Sequence, residues 1–194
     1  MSGATDYRVT VPEGRSGPWK VERFEVDGNS WKAMRYALGG RPIDSGVYTR
    51  LHHDKAWEPM MSDTPAEVRD HLWCIHEIKQ RGGKVLLNGL GLGMVLKAAL
   101  GCENVTHVDV VEIDADIISL VWPHYASDSR AVLHHADALT MKWPVGSRWN
   151  VIWHDIWANI CSDNLEDMKR LHRNYGRRCD WQGSWSRDWI EAHS

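Results

Sequence analysis

The 194-residue sequence has a single phenylalanine, only four cysteines, no long apolar run and no strong excess of charge. No stretch approaches the roughly 18 apolar residues of a membrane span, and the start of the chain lacks a signal peptide's apolar segment. The cytoplasm is therefore the expected compartment. The cysteines form no C-x-x-C pair, which favours free thiols over a metal site. A net charge of −3 argues against a generally basic surface for nucleic acid.

Hydrophobic residues make up 43% of the chain and charged residues 25%, which is typical of a globular protein with one real core. Tryptophan occurs 12 times, against the one phenylalanine, Phe24. Either tryptophan fills core positions that other proteins give to phenylalanine, or part of it lines an aromatic substrate pocket. Core packing is the favoured interpretation for most of the twelve.

Composition divides the chain into three parts. Residues 1–17 are polar with glycine and proline, and predict a flexible arm. Residues 18–60 carry short mixed apolar runs and predict a β-rich lead-in of two to four strands, with a hairpin turn at Asp27-Gly28. Residues 61–194 contain the longer regular segments and form the main predicted domain.

The main domain opens with a helix signal. Thr64, Pro65 and Glu67 have the spacing of a capping box with proline at the first helical position, and Gly82-Gly83 should end the helix. The residues predicted to share its buried face are Val68, Leu72, Ile75 and Ile78.

Strands and helices then alternate, which predicts an α/β fold: a Rossmann-like, doubly wound, mainly parallel sheet. Strands are predicted at 85–87, 105–113, 131–134, 149–153 and 178–181, and helices at 94–100, 115–121, 165–175 and 186–192. In such sheets ligands bind beyond the carboxyl ends of the strands.

The first of these strands runs into Asn88-Gly89-Leu90-Gly91-Leu92-Gly93, after which a helix begins. Glycines there allow a tight turn and a close approach of backbone to ligand, and the helix N-terminus favours an anionic group. Glu112 ends the next strand, where a carboxylate can accept both hydroxyls of a ribose. Together the two features predict nucleoside binding.

At this point the sequence resembles the class I S-adenosylmethionine-dependent methyltransferases. Val111-Glu112-Ile113-Asp114 looks like the segment of their spermidine-synthase-like branch, Ala136-Asp137-Ala138 is similar to the motif whose aspartate meets adenine, and Asn150–Asp155 is similar to the segment at the fourth strand. The resemblance covers about residues 60–182. It implies S-adenosylmethionine as cofactor, held by Asn88, Gly89, Leu90, Gly91, Gly93, Glu112, Ile113, Asp137 and Ala138.

The sequence also departs from that family. Leu87 and Asn88 stand where many members have an acid, and Met61–Glu67 replaces the aminopropyltransferase D-E-x-x-Y-H-E while keeping acids, among which Asp63 is a candidate substrate contact. The closing antiparallel hairpin of the usual seven-stranded sheet has no counterpart. We therefore expect a sheet shortened at its C-terminal side, with homodimer formation as one way to cover its edge.

The reactive end of the site should follow the fourth strand. Methyl transfer requires a positioned nucleophile and, for an amine or hydroxyl, removal of a proton. Asp155 is the first catalytic candidate and His154 the second, although neighbouring strand residues point to opposite faces, so His154 is expected to face a helix if Asp155 faces the ligand. Trp157 could cover a planar or cationic acceptor.

Two other groups of residues are less informative. The pairs His52-His53 and His134-His135 have no third ligand placed by spacing, so no metal is expected. The basic stretch at 169–178 is interpreted as a solvated helix face rather than a nucleic-acid contact.

The predicted function is an S-adenosylmethionine-dependent methyltransferase acting on a small-molecule or macromolecular acceptor that the sequence does not identify. Two alternatives stay open. One is a spermidine-synthase-like aminopropyltransferase that uses decarboxylated S-adenosylmethionine, and the other is a non-catalytic cofactor-binding or interaction protein.

Overall fold

A computed structural model describes residues 7–38, 40–56 and 59–193. Its N-terminal part is an antiparallel sheet in the order β1-β2-β3-β4, formed by β1 (Gly14–Ser16), β2 (Trp19–Val26), β3 (Gly46–His53) and β4 (Met61–Ser62). The predicted β-rich lead-in is therefore present. Between β2 and β3 the chain forms a helix, α1 (Trp31–Leu38), that the sequence did not predict. Asp27-Gly28 accordingly begins the turn into α1, and the expected hairpin there is wrong.

The segment before β1 is packed rather than loose. Tyr7, Val9 and Val11 belong to the main hydrophobic core, and the backbone N–H of Val9 donates to Asp63 at 3.1 Å. The prediction of a flexible arm is therefore corrected for residues 7–17. The three apolar side chains of this polar segment are buried in the main core and hold the segment in place. Residues 1–6 of the predicted arm lie outside the described residues.

The main domain begins with α2 (Pro65–Arg81), as predicted, but its capping box does not form. The Thr64 hydroxyl bonds to Ser62 at 3.1 Å, and Glu67 turns toward Arg41 instead of the helix start. The buried face also differs by one position. Leu72 is 40% exposed, and its expected place is taken by the fully buried His71.

The rest of the domain alternates as predicted. Its strands are β5 (Gly83–Asn88), β6 (Val105–Glu112), β7 (Ala131–His135), β8 (Trp149–His154) and β9 (Cys179–Ser184), and its helices are α3 (Met94–Leu100), α4 (Ala115–Val121), α5 (Asn164–Tyr175) and α6 (Arg187–Ala192). The five strands are all parallel, in the order β7-β6-β5-β8-β9. In the described chain no antiparallel hairpin extends this sheet.

Alternate strand residues fill two cores, one on each face of the sheet. Val85 and Leu87 pack in the larger core with Val68 and Ile75 of α2. Leu86 points to the other face, into a smaller core that includes Leu171, Tyr175 and Trp149. This is the doubly wound Rossmann-like arrangement. Among the described helices, none is long and apolar enough to cross a lipid bilayer.

The strand order places a crevice between β5 and β8. After β5 the chain builds outward through β6 and β7, and then returns to the other side of β5 with β8, so the connections diverge at the carboxyl ends of these two strands. The antiparallel sheet of β1 to β4, here called the lead-in sheet, covers the end of the parallel sheet at which these carboxyl ends lie. Trp19 Nε1 donates to Asp114 at 2.7 Å, and Ser16 Oγ donates to Asp116 at 2.7 Å.

Candidate functional site

A cleft of about 360 Å³ opens at these strand ends. Eight of the residues predicted from the sequence line it together: Gly89, Gly91, Glu112, Ile113, Asp137, Ala138, Asp155 and Trp157. They come from segments following four different strands, so the parallel sheet is what assembles them. Met61 of β4, Trp19 of β2 and Glu67 of α2 complete the wall from the lead-in side.

The glycine loop needs glycine for two separate reasons. Gly89, Gly91 and Gly93 have φ of +105°, +50° and +75°, where other residues are strained. A Cβ at Gly89 would also overlap the carbonyl oxygen of Asp155, and one at Gly91 would lie 2.6 Å from Met61 Sδ. The loop therefore lies directly against the end of β8 on one side and the lead-in sheet on the other.

Glu112 holds this loop in place. Its carboxylate accepts the backbone N–H of Leu90 at 2.9 Å, of Ile113 at 2.8 Å and of Asp114 at 2.9 Å. A carboxylate has about four acceptor positions, so capacity for a further donor remains. Glu112 thus shapes the loop of the neighbouring strand while lining the cleft.

Asp137, like Glu112, both fixes a local turn and lines the cleft. Its two carboxylate oxygens accept the Leu139 N–H at 2.8 Å and the Thr140 hydroxyl at 3.0 Å, which fixes the turn after β7. Ile113 and Ala138 lie beside Glu112 and Asp137 along the same wall. The four residues form one continuous side of the cleft.

Asp155 lines the cleft at the end of β8, and its surroundings raise its pKa. Burial raises the pKa of Asp155 to about 8, and the carboxylates of Glu67, Asp70 and Glu112 add to the effect. Its Oδ2 lies 3.8 Å from Nε2 of His71. Burial lowers the pKa of His71 to about 4, so its imidazole is neutral near pH 7. An aspartyl group with a raised pKa in a cleft is a candidate for proton transfer.

Sequence reasoning missed His71 and Glu67 as site residues. Both lie on α2, one turn apart, and both line the cleft. Burial raises the pKa of Glu67 to about 7, opposed by the charge of Arg41 at 3.6 Å. The burial of His71 was predictable, because it lies three residues after Val68 and four before Ile75 and so shares their buried face.

The charge of the cleft has one sign. Its wall includes six acids, namely Glu67, Glu112, Asp114, Asp137, Asp155 and Asp167, and among its described lining residues there is no lysine or arginine. Trp157 and Trp185 also line it, and each has a buried indole N–H with no partner in the described chain. Such an acidic wall suits a cationic ligand.

His154 and Asn88 do not line the cleft, which corrects the two predictions. Asn88 Nδ2 donates to His154 Nδ1 at 2.8 Å, and His154 Nε2 lies 3.2 Å from Gln182 Oε1. Both side chains are fully buried, and burial lowers the pKa of His154 to about 3. Strand alternation turns His154 toward α5, where its ring meets those of His172 and Tyr175 at 5.4 Å.

Asp63 is also placed elsewhere. It is fully buried in the lead-in region, where it accepts the N–H of Val9 at 3.1 Å and of Thr49 at 2.6 Å. It therefore joins the N-terminal segment to β3, and its prediction as a substrate contact is wrong. Leu90 and Gly93, also predicted to hold the cofactor, belong to the glycine loop but do not line the cleft. Leu90 is buried, and Gly93 packs against the ring of Tyr125.

One histidine of each predicted pair, His134 and His53, contacts another side chain. His134 and His107 both approach Asp109, at 2.7 and 3.1 Å. His53 packs against Trp19. Across the described residues, no group of three or more histidine, cysteine or acidic side chains is arranged to hold a metal ion.

Comparison with known proteins gives similarity at the level of structure alone. No protein-family model and no curated protein matches the chain. The structure is similar to the N-methyltransferase NodS from Bradyrhizobium japonicum WM9, with 13% identity over 57% of this chain and 61% of that chain and a TM-score of 0.45. It is similar to the ribosomal protein L11 methylase from Lactobacillus delbrueckii subsp. bulgaricus, with 17% identity, 57% and 53% coverage and a TM-score of 0.42.

A third similar structure is an S-adenosylmethionine-dependent methyltransferase from Clostridium acetobutylicum ATCC 824, with 14% identity, 56% and 42% coverage and a TM-score of 0.41. The chain spans less than two thirds of the length of each of these three structures. With TM-scores below 0.5, the similarity carries no argument about activity, which has to come from the side chains of the cleft.

Proposed function

We propose that the protein is an S-adenosylmethionine-dependent methyltransferase whose acceptor is bound beside Asp155. The observation that carries the proposal is the convergence of the glycine loop, Glu112, Asp137 and Asp155 on one cleft at the carboxyl ends of the strands. The proposal does not depend on membership of the spermidine-synthase-like branch, which only the Val111–Asp114 segment suggests.

The residues of the cleft fit such a cofactor. The glycine loop would leave room for its amino acid end, Glu112 would accept from the ribose, and Asp137 with Ala138 would border the adenine. The acidic wall suits a ligand with a sulfonium and an ammonium group, and the side chains of Trp157 and Trp185 add apolar surface to the same wall. When bound, the cofactor supplies an electrophilic methyl group.

The protein's own part is then to hold the acceptor and take its proton. Asp155 is the base in this proposal, because it lies in the cleft and its pKa of about 8 is close to working pH. His71, neutral and 3.8 Å away, would orient the carboxyl group. Trp157 would border the acceptor and limit the access of water.

One observation favours a second candidate, aminopropyl transfer from decarboxylated S-adenosylmethionine. The described wall of the cleft has six acids and no lysine or arginine to pair with a cofactor carboxylate. A cofactor that lacks this carboxylate would meet less repulsion there. The two candidates share the cleft and differ in the form of cofactor preferred.

The test is a binding series with S-adenosylmethionine, S-adenosylhomocysteine, decarboxylated S-adenosylmethionine and NAD, on wild type and Glu112→Ala. A ligand at about 100 times its dissociation constant stabilises by roughly 2.7 kcal/mol, which is about 5–10 °C in Tm for a domain of this size. We expect a shift with the first two ligands that Glu112→Ala abolishes and that Glu103→Gln, at an exposed turn before β6, retains.

Each other outcome has a definite meaning. Preference for the decarboxylated form would replace methyl transfer by aminopropyl transfer. Stabilisation by NAD alone, or by none of the four, would overturn both candidates. Binding without turnover on any amine, hydroxyl or protein acceptor would leave a cofactor-binding protein.

A further inference from the structure

A second cavity, of about 420 Å³, lies beside the cleft between the lead-in sheet and the first turn of α2. Its wall is mainly apolar and includes Phe24, Val26, Ala33, Tyr36, Ile43 and Met61. The floor is the sheet formed by β2 to β4, and α1 covers one side. Helix α1 is therefore part of a binding-sized enclosure, although few of its own large side chains are buried.

The two cavities share part of their walls. Met61 and Glu67 line both of them. Met61 Sδ accepts the backbone N–H of Leu92 at 3.3 Å, so its side chain lies against the glycine loop. A ligand in the second cavity with its polar end at Glu67 would thus be next to the cleft that contains Asp155.

The charge balance of the second cavity favours a cation. Its two guanidinium groups already have carboxylate partners outside the wall: Arg41 lies 2.8 Å from Asp70, and Arg50 lies 2.6 Å from Glu22. The wall itself adds Glu67 and the exposed Glu25 and Asp27. An anion would therefore meet a net negative surface, whereas a cation at Glu67 would meet an attractive one.

Glu67 is the acid best placed to receive that cation. It begins α2 at the junction of the two cavities, and burial raises its pKa to about 7. A cationic group beside it would favour the ionised carboxylate, in the way an opposite charge lowers an acid's pKa. Its contact with Arg41, at 3.6 Å, is looser than the contact of Arg41 with Asp70.

We propose that the second cavity receives the acceptor, an amine with an apolar aromatic or aliphatic body, and that its nitrogen lies at Glu67 where the two cavities meet. This inference rests on the proposed function. An ammonium would first lose a proton to the Asp155 carboxylate. The nitrogen lone pair then forms the new N–C bond as the C–S bond breaks, with that bond's electron pair remaining on sulfur.

The test uses three probe amines, tryptamine, 2-phenylethylamine and hexylamine, titrated calorimetrically into the full chain saturated with S-adenosylhomocysteine. The corresponding alcohols and carboxylic acids are the matched ligands. We expect at least one amine to bind tenfold or more tightly than its alcohol and its acid. Glu67→Gln should remove that preference, and Glu103→Gln should leave it unchanged.

A cavity-filling variant tests the location. Ala33→Leu adds volume to the wall of the second cavity, and Ala33 does not line the cleft. It should weaken the amine, alcohol and acid alike, while S-adenosylhomocysteine binds as in wild type. Val26→Phe is the second filling variant should Ala33→Leu fail to fold by circular dichroism.

Failure of this inference differs from failure of the proposed function. If S-adenosylhomocysteine binds and no amine does, the second cavity is not an amine site and the methyltransferase proposal stands. Amine binding that neither Glu67→Gln nor a filling variant changes would also overturn the inference, because the amine would be bound elsewhere. If S-adenosylmethionine, S-adenosylhomocysteine and decarboxylated S-adenosylmethionine all fail to bind, the proposed function itself fails.

Discussion

The carboxyl group of Asp155 lies 3.8 Å from the imidazole of His71, and neither ring nitrogen of His71 has a hydrogen-bond partner in the described chain. The two residues come from different layers, Asp155 from the end of β8 and His71 from the middle of α2. Burial raises the pKa of the acid to about 8 and lowers that of the base to about 4. Near neutral pH the pair is therefore mostly uncharged, which is the cheaper state for two buried groups.

Replacing Asp155 by asparagine should remove the proton acceptor and keep the shape. We expect kcat for methyl transfer to fall by about 10²–10⁴-fold, the usual contribution of a general base. The dissociation constant of S-adenosylhomocysteine should change little, since no proton leaves on binding it. Single-turnover rates and calorimetry separate the two. An unchanged rate would remove Asp155 from catalysis.

The pH dependence of kcat/KM should have a definite sign. Asp155 accepts a proton only when ionised, so the rate should rise with pH through a midpoint at about 8 in the free enzyme. His71→Asn should keep the rising limb, because the neutral imidazole contributes no ionisation in this range. A profile that falls between pH 6 and 9 would contradict the assignment.

The same carboxyl group should cost stability at high pH. Its pKa is about 8 in the folded chain and near 3.8 when unfolded, so the folded state binds the extra proton between these values. Stability from this group is therefore full below about pH 4 and is lost as pH rises through 8. Asp155→Asn should be more stable than wild type above pH 8, on the order of a few kcal/mol, and similar at about pH 4. Urea unfolding at both pH values measures it, and a difference that does not grow with pH would contradict it.

Buried His154 should lower the stability of the folded chain at acidic pH, whereas Asp155 lowers it at high pH. Burial lowers its folded pKa to about 3 from the ordinary 6.5, so the unfolded chain binds the extra proton in between. Stability is complete above about pH 6.5 and decreases as pH falls toward 3. His154→Gln should flatten this acid limb in urea unfolding, whereas His135→Gln, at an exposed position of β7, should leave it as in wild type. An equally steep limb in His154→Gln would rule out this source.

How far the sequence determines the fold depends on the element. Helices α3 and α4 were predicted at their observed bounds, because an apolar face and clear end signals agree. Helix α1 was missed because it has only eight residues, too few for a helical period to stand out among the neighbouring turn residues. The capping box failed because Arg41, distant in sequence, attracts Glu67.

The residues of the site also fall into those that the sequence predicts and those that it does not. Gly89, Glu112 and Asp137 could be predicted because a strand end followed by a turn fixes their position locally. His71 and Glu67 could not be assigned to the cleft, because only the packing of α2 against β8 brings them to Asp155. Asn88 and Asp63 were misassigned for the same reason: their partners are His154 and the backbone of Val9 and Thr49.

Glu112 should affect stability as well as binding. Glu112→Ala leaves three N–H groups, those of Leu90, Ile113 and Asp114, without their acceptor. A buried donor left unsatisfied costs about 1–3 kcal/mol, so we expect a loss of roughly that size even without ligand. Glu112→Gln keeps one acceptor oxygen and should lose less. Equal stability of wild type and Glu112→Ala in urea would show that water replaces the carboxylate, and that Glu112 does not hold the loop.

Gly89→Ala combines backbone strain with a collision, and Gly146→Ala separates the two. Gly146 has φ of +87° and nothing within 4 Å of an added Cβ, so alanine there should cost only the strain of a left-handed residue, about 1–2 kcal/mol. At Gly89, with φ of +105°, the added Cβ also meets the carbonyl oxygen of Asp155, which is backbone and cannot rotate away. We therefore expect Gly89→Ala to lose clearly more stability in urea than Gly146→Ala, and to lose binding of S-adenosylhomocysteine because the loop and the end of β8 must separate. Equal losses in the two variants, with binding retained, would mean that the contact between the glycine loop and Asp155 does not hold the cleft together.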